Sequence, residues 1–360
     1  MPMLDKSKLR EDVRKLSEKS QRILMKGIYK FLNMEGNKGT DLMELMRIIL
    51  DGNARFYEEL ASGEGRVEEL YDLVTKDQMI FLARLFRYAM EFKAEFLMKK
   101  NPIPDDVSIE KINVNGVPAE WQIPLGAPEN QVFLFIHGGG QVLGSPKSSR
   151  AYSVEIGRTI KMKVLSVDYR LAPEHPFPEG LEDCVKVYKW LLSTGIKAED
   201  IIIAGASAGG NLTISTILKL RDEGIPLPSG AVALAPGIDY TPNSKTILEN
   251  AKTDPVMADV GIFWWIPAYL NGADPNDPLI SPVFADLKGF PPILLQVSKS
   301  EMIYDHSTRF FERAKSAGVR VVLQEWDDMP HVWHNYGLNE LPEAKEAIEK
   351  IDEFIKSLKS

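Results

Sequence analysis

The sequence has a single cysteine, no long apolar run and no excess of positive charge. Because Cys184 has no second cysteine to pair with, an internal disulfide is excluded, and we interpret Cys184 as a small buried side chain. No stretch approaches the roughly 18 consecutive apolar residues that span a bilayer. Residues 1–8 are charged and lack the apolar core of a secretory signal. We therefore expect a cytoplasmic protein without a membrane span.

The balance of charge excludes a further class of function. The 360 residues include 43 Lys and Arg against 51 Asp and Glu, a net charge of −8, and the basic residues form no stripe. Nucleic-acid-binding domains usually carry such a stripe, so no nucleic-acid partner is expected. A hydrophobic content of 44% and a charged content of 26% are ordinary for a globular protein.

The pattern of the chain predicts a helical beginning followed by an α/β domain. Residues 1–104 are predicted to be helical, whereas residues 105–239 and 292–360 alternate strands with helices. This alternation predicts an α/β fold with a mostly parallel sheet covered on both faces. Residues 240–291 interrupt it with prolines and aromatic residues, and we expect this insertion to form part of a lid. The predicted strands are 132–136, 164–167, 201–204, 231–234, 293–297 and 319–323.

Aromatic residues of this insertion are candidates for the substrate pocket. They are Phe263, Trp264, Trp265 and Tyr269. In the first segment, Thr75 and Gln78 have the spacing of a capping box and precede an apolar stripe on one helical face. The stripe consists of Phe81, Leu85, Tyr88, Phe92 and Phe96. We expect most of the stripe to pack against the main domain, with a substrate tunnel as the alternative.

The most informative motif is a serine between two glycines. Residues 205–209 read Gly-Ala-Ser-Ala-Gly, follow the apolar run 201–204 and precede a predicted helix at 211–220. This strand–turn–helix context is that of the nucleophile elbow of α/β hydrolases. The glycines are needed because a side chain two positions from the serine would collide with the strand or the helix. Ser207 is therefore the predicted nucleophile, and a plain helix cap is the alternative.

A second glycine-rich segment follows the predicted strand at 132–136. Residues 137–140 read His-Gly-Gly-Gly, and glycines allow backbone N–H groups to approach a substrate closely. Such N–H groups stabilise the negative charge that forms on a carbonyl oxygen under attack. We predict an oxyanion hole from the N–H groups of Gly138, Gly139 and Ala208. A phosphate-binding loop is the alternative, but no lysine directly follows the second glycine of its pattern.

The base and the acid are expected after Ser207, in the order acid and then base. His331 follows the predicted strand 319–323, and open α/β sheets gather catalytic residues at this end of their strands. His334 is the alternative base, with a surface position as its other interpretation, and His306 is interpreted as structural. None of these assignments requires a metal ion.

Two carboxylates near the end of the strand at 293–297 are candidates for the acid. Glu301 is closer to the strand end, where it could accept a hydrogen bond from His331, and Asp305 is one helical turn further on. A carboxylate in this role fixes the histidine tautomer and stabilises the imidazolium. Asp168 precedes the nucleophile and is interpreted as structural.

Three motifs together resemble the hormone-sensitive-lipase family of carboxylesterases, bacterial family IV. They are residues 137–140, residues 169–178 (Tyr-Arg-Leu-Ala-Pro-Glu-His-Pro-Phe-Pro) and residues 205–211 (Gly-Ala-Ser-Ala-Gly-Gly-Asn). The resemblance runs from about residue 107 to the C-terminus. It implies an α/β-hydrolase fold with a helical cap formed by residues 1–104 together with the insertion 240–291. It also implies Ser207 as nucleophile and His331 as base. It also implies hydrolysis of short to medium acyl-chain esters through an acyl-enzyme, with no cofactor.

The chain departs from this family at the acid and beside the base. The family's usual acid motif is Asp-Pro-Leu-x-Asp, whereas residues 301–305 read Glu-Met-Ile-Tyr-Asp, so Glu301 takes the place of the usual aspartate. Val332 and Trp333 follow His331 in place of the common Gly-Phe, which alters the pocket wall.

Two other functions and an oligomeric state follow from the same resemblance. An amidase or deacetylase could use the same triad. The plant gibberellin receptors resemble this family in fold and bind a small molecule, but they lack the catalytic histidine that His331 supplies here. The last predicted strand, 319–325, ends the sheet with an open edge, through which the family often dimerises. We therefore expect a homodimer.

Overall fold

The computed structural model describes residues 4–37, 42–62, 74–257, 262–336 and 340–359. Its strands are β1 (Val107–Val114), β2 (Val117–Pro124), β3 (Val132–Ile136), β4 (Lys163–Val167), β5 (Ile201–Ala206), β6 (Gly230–Leu234), β7 (Ile293–Ser298) and β8 (Val321–Trp326). The α-helices in these ranges are α1 (Glu11–Leu32), α2 (Leu42–Ser62), α3 (Lys76–Lys100), α4 (Pro146–Ile160), α5 (Glu179–Ser193), α6 (Ala208–Asp222), α7 (Thr246–Glu249), α8 (Ile262–Leu270), α9 (Tyr304–Ser316) and α10 (Pro342–Ser357).

The strands form one sheet in the order β1-β2-β4-β3-β5-β6-β7-β8. Strands β3 to β8 are parallel to one another, so their carboxyl ends meet at one edge of the sheet. In the register, Ile136 at the end of β3 lies beside Val167 of β4 and Gly205 of β5. This alignment brings the segments that follow β3 and β5 together. The predicted α/β fold with a mostly parallel sheet is confirmed.

The first two strands differ from the alternation that the sequence suggested. Strands β1 and β2 form an antiparallel hairpin, and β2 pairs antiparallel with β4. The hairpin turn is Asn115-Gly116, whose φ angles of 51° and 94° belong to the tight turns that join antiparallel strands. The last strand begins at Val321, two residues later than predicted, and occupies the other edge of the sheet.

Helices cover both faces of the sheet. Every residue of β3 and of β5 is buried, as expected for parallel strands that lie between two helical layers. Apolar residues of α5, α6 and α9 pack on one face, and those of α4 and α10 pack on the other. None of the helices in the described ranges is both long enough and apolar enough to cross a membrane.

A separate apolar cluster joins the N-terminal helices to the insertion between β6 and β7. It contains residues of α1, α2, α3, α7 and α8 together with Val142 and Leu143, which follow the glycine-rich loop. The ring of Phe86 in α3 stacks on Trp264 of α8, with centroids 6.2 Å apart. The cluster therefore extends from the two predicted cap segments to the edge of the sheet where β3 ends.

Part of the aromatic stripe of α3 packs within this helical layer. The predicted capping box is present, with Thr75 and Gln78 each bonded to the other's backbone. The rings of Phe81 and Tyr88 contact Phe31 of α1, at centroid distances of 5.9 and 5.5 Å. These two rings therefore pack at least in part on α1, and the prediction that most of the stripe packs against the main domain stays a prediction.

Candidate active site

Ser207 lies in the turn between β5 and α6 with backbone angles of φ 54° and ψ −119°. This is a strained conformation for a residue with a side chain. The flanking glycines make the turn sterically feasible. A Cβ at position 205 would lie 2.2 Å from the carbonyl oxygen of Gly209, and one at position 209 would lie 2.0 Å from that of Ile136. The N–H of Ser207 donates to the carbonyl of Leu234 at 2.8 Å, which fixes the turn above the sheet.

Three side chains from distant parts of the chain form one hydrogen-bonded line. His331 Nε2 lies 2.8 Å from Ser207 Oγ, and His331 Nδ1 lies 2.5 Å from Glu301 Oε2. The other oxygen of Glu301 accepts the N–H of Ser298 at 2.8 Å. Since a carboxylate can only accept at Nδ1, the proton of the neutral imidazole lies there and Nε2 accepts from the serine hydroxyl.

The line is buried at its inner end. Glu301 is fully buried, and His331 is 7% exposed. Burial lowers the pKa of His331, but the hydrogen bond and the charge of Glu301 outweigh it, so that the pKa is raised above its usual 6.5. Burial raises the pKa of Glu301, and its bond to His331 opposes this shift. A histidine with such a pKa is suited to accept a proton near neutral pH.

The loop after β3 brings its backbone against the nucleophile. A Cβ at position 138 would lie 2.7 Å from the carbonyl oxygen of Ala206 and 3.1 Å from Ser207 Cβ. Gly139 has φ 121°, a conformation that favours glycine. Within the described ranges, no backbone or side-chain acceptor binds the N–H groups of Gly138, Gly139 and Ala208. These donors are therefore free to bind an oxygen of a substrate beside Ser207.

A buried histidine supports this loop from beneath. The ring of His137 stacks on Tyr169 with centroids 4.3 Å apart, and its Nδ1 lies 2.9 Å from the carbonyl oxygen of Gly138. The Tyr169 hydroxyl donates to the carbonyl of His137 at 2.9 Å. Burial lowers the pKa of His137 to about 4, so the ring is neutral and donates to the loop.

Sequence reasoning missed two side chains that hold the same loop. Gln141 accepts a hydrogen bond from the buried hydroxyl of Tyr240. Arg87 of α3 donates from Nε to the carbonyl of Val142 at 2.8 Å and also pairs with Glu174. No local pattern around Gln141 or Arg87 signals these contacts, because their partners lie far away along the chain.

The alternative acid has other partners. The Asp305 carboxylate accepts hydrogen bonds from the hydroxyls of Ser244 and Thr246 at 2.6 and 2.9 Å. It also accepts the N–H of Lys245 at 3.0 Å. The structure therefore brings Glu301, and not Asp305, to His331.

The alternative base, His334, also has a different partner. His334 is fully buried, its Nε2 lies 2.8 Å from Gln296 Oε1, and burial lowers its pKa to about 3. The surface position considered for His334 is thus wrong. His306 is buried and accepts the N–H of Ile238 at 3.2 Å. In the described part of the chain, no three His, Cys, Asp or Glu side chains are grouped so that they could hold a metal ion.

The aromatic residues proposed for the pocket occupy different positions. Trp265 lies against the glycine loop, since a Cβ at Gly140 would be 2.3 Å from its Cε3 atom. Trp264 is fully buried in the helical layer, and Tyr269 is 2% exposed and packs on Tyr240. The Phe263 side chain lies outside the part of the chain that the structure describes. Trp265 is therefore the pocket candidate that the structure places beside the glycine loop.

Comparison with known proteins identifies a matching family model and similar hydrolases. A family model described as the alpha/beta hydrolase fold matches residues 133–335. An esterase of Acinetobacter venetianus is 38% identical over 265 residues, which cover 73% of this chain and 85% of that protein. An acetyl-hydrolase of Streptomyces hygroscopicus is 36% identical over 254 residues, covering 71% and 83%.

Solved structures of esterases are also similar to this chain. The crystal structure of an esterase from the bacterial hormone-sensitive lipase family is 38% identical, has a TM-score of 0.73, and the match covers 89% of this chain and 99% of that one. The esterase EstE5, soaked with p-nitrophenyl butyrate, is 37% identical with a TM-score of 0.69, covering 78% and 98%. The chain belongs to the hormone-sensitive-lipase family of esterases within the α/β-hydrolase superfamily.

Proposed function

We propose that this protein is a serine carboxylic ester hydrolase that works through an acyl-enzyme on Ser207. The observation that carries the proposal is the hydrogen-bonded line from Ser207 through His331 to Glu301. It lies beside three N–H groups that bind no acceptor in the described ranges. The activities named for the relatives, esterase and acetyl-hydrolase, support the same chemistry.

Acylation begins with proton transfer from Ser207 Oγ to His331 Nε2, across the 2.8 Å that separate them. Oγ forms a bond to the ester carbonyl carbon, and the carbonyl electron pair moves onto oxygen. The N–H groups of Gly138, Gly139 and Ala208 bind this oxyanion, and losing one such donor typically costs about 3 kcal/mol of transition-state stabilisation. When the carbonyl re-forms, the alcohol leaves with the proton from Nε2.

Deacylation repeats these steps with water. His331 takes a proton from the water, the resulting hydroxide attacks the acyl carbon, and Ser207 regains its proton as the acid leaves. Glu301 stays ionised throughout, fixes the imidazole tautomer and stabilises the imidazolium. Every proton in this cycle passes through Nε2, and the chemistry requires no cofactor.

We propose esters with short to medium acyl chains as substrates. Trp265 packs against the glycine loop, so an apolar wall lies close to the bound carbonyl. The acetyl-hydrolase and the esterase soaked with a butyrate ester support chains of this length. An amidase or deacetylase would use the same residues on a poorer leaving group.

The test is hydrolysis of p-nitrophenyl butyrate by the wild type, by Ser207→Ala and by a control variant, Ser193→Ala, at the end of α5. We expect Ser207→Ala to lose about 10⁶-fold in kcat, or to reach the detection limit, because the nucleophile is gone. Ser193→Ala should retain wild-type kcat. Butyryl p-nitroanilide, assayed in parallel, distinguishes an amidase. Ester turnover by Ser207→Ala at the wild-type rate would refute the proposal.

We further propose that the protein acts in the cytoplasm as a homodimer joined along β8. This strand ends the sheet, and its residues from Val321 to Gln324 are only partly buried in the single chain. Unpaired edge strands readily pair with a second copy. Residues 1–104 and 240–291 are proposed to form the cap of each subunit. Light scattering that gives the mass of a single chain would contradict the dimer.

A further inference from the structure

The turn that carries Glu301 is bound by a second segment of the chain. This acid turn, residues 298–302, follows β7. Side chains of the insertion between β6 and β7 reach it from a stretch that we call the clamp, residues 250–254. The clamp follows α7 directly, and the N–H groups of Thr253 and Asp254 both donate to the carbonyl of Asn250, which gives the clamp its own internal bonds.

Four side-chain hydrogen bonds join the clamp to the backbone of the acid turn. Asn250 Nδ2 donates to the carbonyls of Lys299 and Glu301, at 2.8 and 2.9 Å. The hydroxyl of Thr253 donates to the carbonyl of Ser300 at 3.0 Å. Asp254 Oδ2 accepts the N–H of Met302 at 3.0 Å. The clamp thus binds backbone groups at each of the positions from 299 to 302.

Asp254 differs from an ordinary turn-forming aspartate in its surroundings. It is fully buried, and no Lys or Arg nitrogen of the described chain lies within 4.0 Å of its carboxylate. Its other oxygen accepts the N–H groups of Val256 and Met257 at 2.9 and 3.1 Å. A buried carboxylate without a cation is costly, and backbone N–H donors supply its main compensation. One carboxylate therefore connects the acid turn with the chain that leads toward α8.

We infer that the clamp holds the acid turn in the position where the Glu301 carboxylate meets His331, and that Asp254 is a positioning residue for the reaction. The inference rests on the proposed function. Glutamate has three rotatable side-chain bonds, so its carboxylate is placed accurately only when the backbone from which it extends is fixed. The clamp also links the cap insertion to the acid.

The charge of Asp254 gives this role a signature beyond stability. In the described part of the chain, the groups that interact electrostatically with His331 include Glu301, Asp254, His306 and His334. After the opposing effect of burial, Glu301 and then Asp254 raise the pKa of His331. Removing the charge of Asp254 should therefore lower the pH at which the base becomes active.

The experiment compares Asp254→Asn with Asp277→Asn, using p-nitrophenyl butyrate and the full chain. Asp277 is a matched control because it lies in the same insertion and accepts a backbone N–H, that of Leu279 at 2.8 Å, without contacting the acid turn. The kcat of each variant is normalised to the serine that a fluorophosphonate labels. We expect Asp254→Asn to lose about 10- to 100-fold in kcat with unchanged KM. Its pH midpoint should move down, and the control should match the wild type.

A second pair of variants decides the question if Asp254→Asn fails to fold. Thr253→Val removes one hydroxyl, which lies within hydrogen-bond distance of the carbonyls of Ser300 and Asn250. The kcat should therefore fall, and Thr253→Ser should restore it. Wild-type kcat in Thr253→Val, or a loss in Asp254→Asn confined to KM or without a shift of the pH midpoint, would overturn the inference. These results leave the proposed function intact, whereas a wild type without ester turnover would overturn that function instead.

Discussion

Replacing Glu301 by glutamine tests the acid directly, because the change removes a charge and almost no volume. In the native protein one carboxylate oxygen of Glu301 accepts the N–H of Ser298 at 2.8 Å, and the other oxygen lies 2.5 Å from His331 Nδ1. In Glu301→Gln one of these oxygens becomes an NH₂ group. The Ser298 N–H can only donate, so it retains the remaining oxygen, and the NH₂ group then faces Nδ1.

This arrangement reverses the tautomer of the base. With a donor at Nδ1, that atom must accept, and the ring proton moves to Nε2, which can no longer take the proton of Ser207. The wrong tautomer in a triad of this kind lowers kcat by about 10⁴-fold, or about 5 kcal/mol of transition-state stabilisation. The loss of the carboxylate also leaves burial as the dominant influence on the pKa of His331, which then falls.

The assay is steady-state hydrolysis of p-nitrophenyl butyrate by Glu301→Gln, Glu301→Asp and Asp305→Asn. Glu301→Asp keeps the charge but shortens the reach by about 1.5 Å, so its kcat should lie between those of the wild type and Glu301→Gln. Asp305→Asn should keep most of the wild-type kcat, because Asp305 is bonded to Ser244 and Thr246 and Glu301 is the carboxylate at His331. A kcat of Glu301→Gln within tenfold of the wild-type value would contradict the role of Glu301 as the acid. A larger loss of kcat in Asp305→Asn than in Glu301→Gln would contradict it as well.

Two further predictions concern the base and the oxyanion loop. Activity needs neutral His331, and the pKa of this residue is raised above 6.5. We therefore expect kcat/KM to increase with pH through a midpoint above 6.5. A midpoint below that value would contradict the effect of Glu301 on His331. Gly139→Ala should lower kcat by about 10²- to 10³-fold, because φ is 121° and a Cβ would lie 2.3 Å from the carbonyl of Leu143, which displaces an oxyanion donor. Gly237→Ala, whose Cβ would have its nearest neighbour at 3.9 Å, serves as the control, and equal kcat in the two variants would refute this role of the loop.

The parts that were predictable from sequence are those encoded by short segments with strong geometric demands. The elbow around Ser207 needs glycines two residues away on each side, because a Cβ at these positions would lie 2.2 and 2.0 Å from backbone carbonyl oxygens. The predicted bounds of the buried strands β3, β5 and β7 agree with the structure to within two residues. The hairpin of β1 and β2 was missed, although Asn115-Gly116 is a recognisable turn signal, because only part of β1 is buried.

The rest depends on contacts between segments far apart in the chain. The sequence placed Glu301 and Asp305 one turn apart, and only the tertiary structure shows that Asp305 is bonded to Ser244 and Thr246. The burial of His334 and its contact with Gln296 are likewise invisible in the local pattern. Asp254 carries no motif of its own, and its contact with Met302 joins residues 48 positions apart.

Covalent acylation of Ser207 can be tested by trapping the enzyme with diethyl p-nitrophenyl phosphate. The reagent transfers its diethylphosphoryl group to an activated serine and releases p-nitrophenol, and peptide mass spectrometry then locates the adduct. We expect one adduct per chain, on the peptide that contains Ser207, together with loss of esterase activity. An adduct on another residue, or full inactivation of the esterase without any adduct on Ser207, would contradict it.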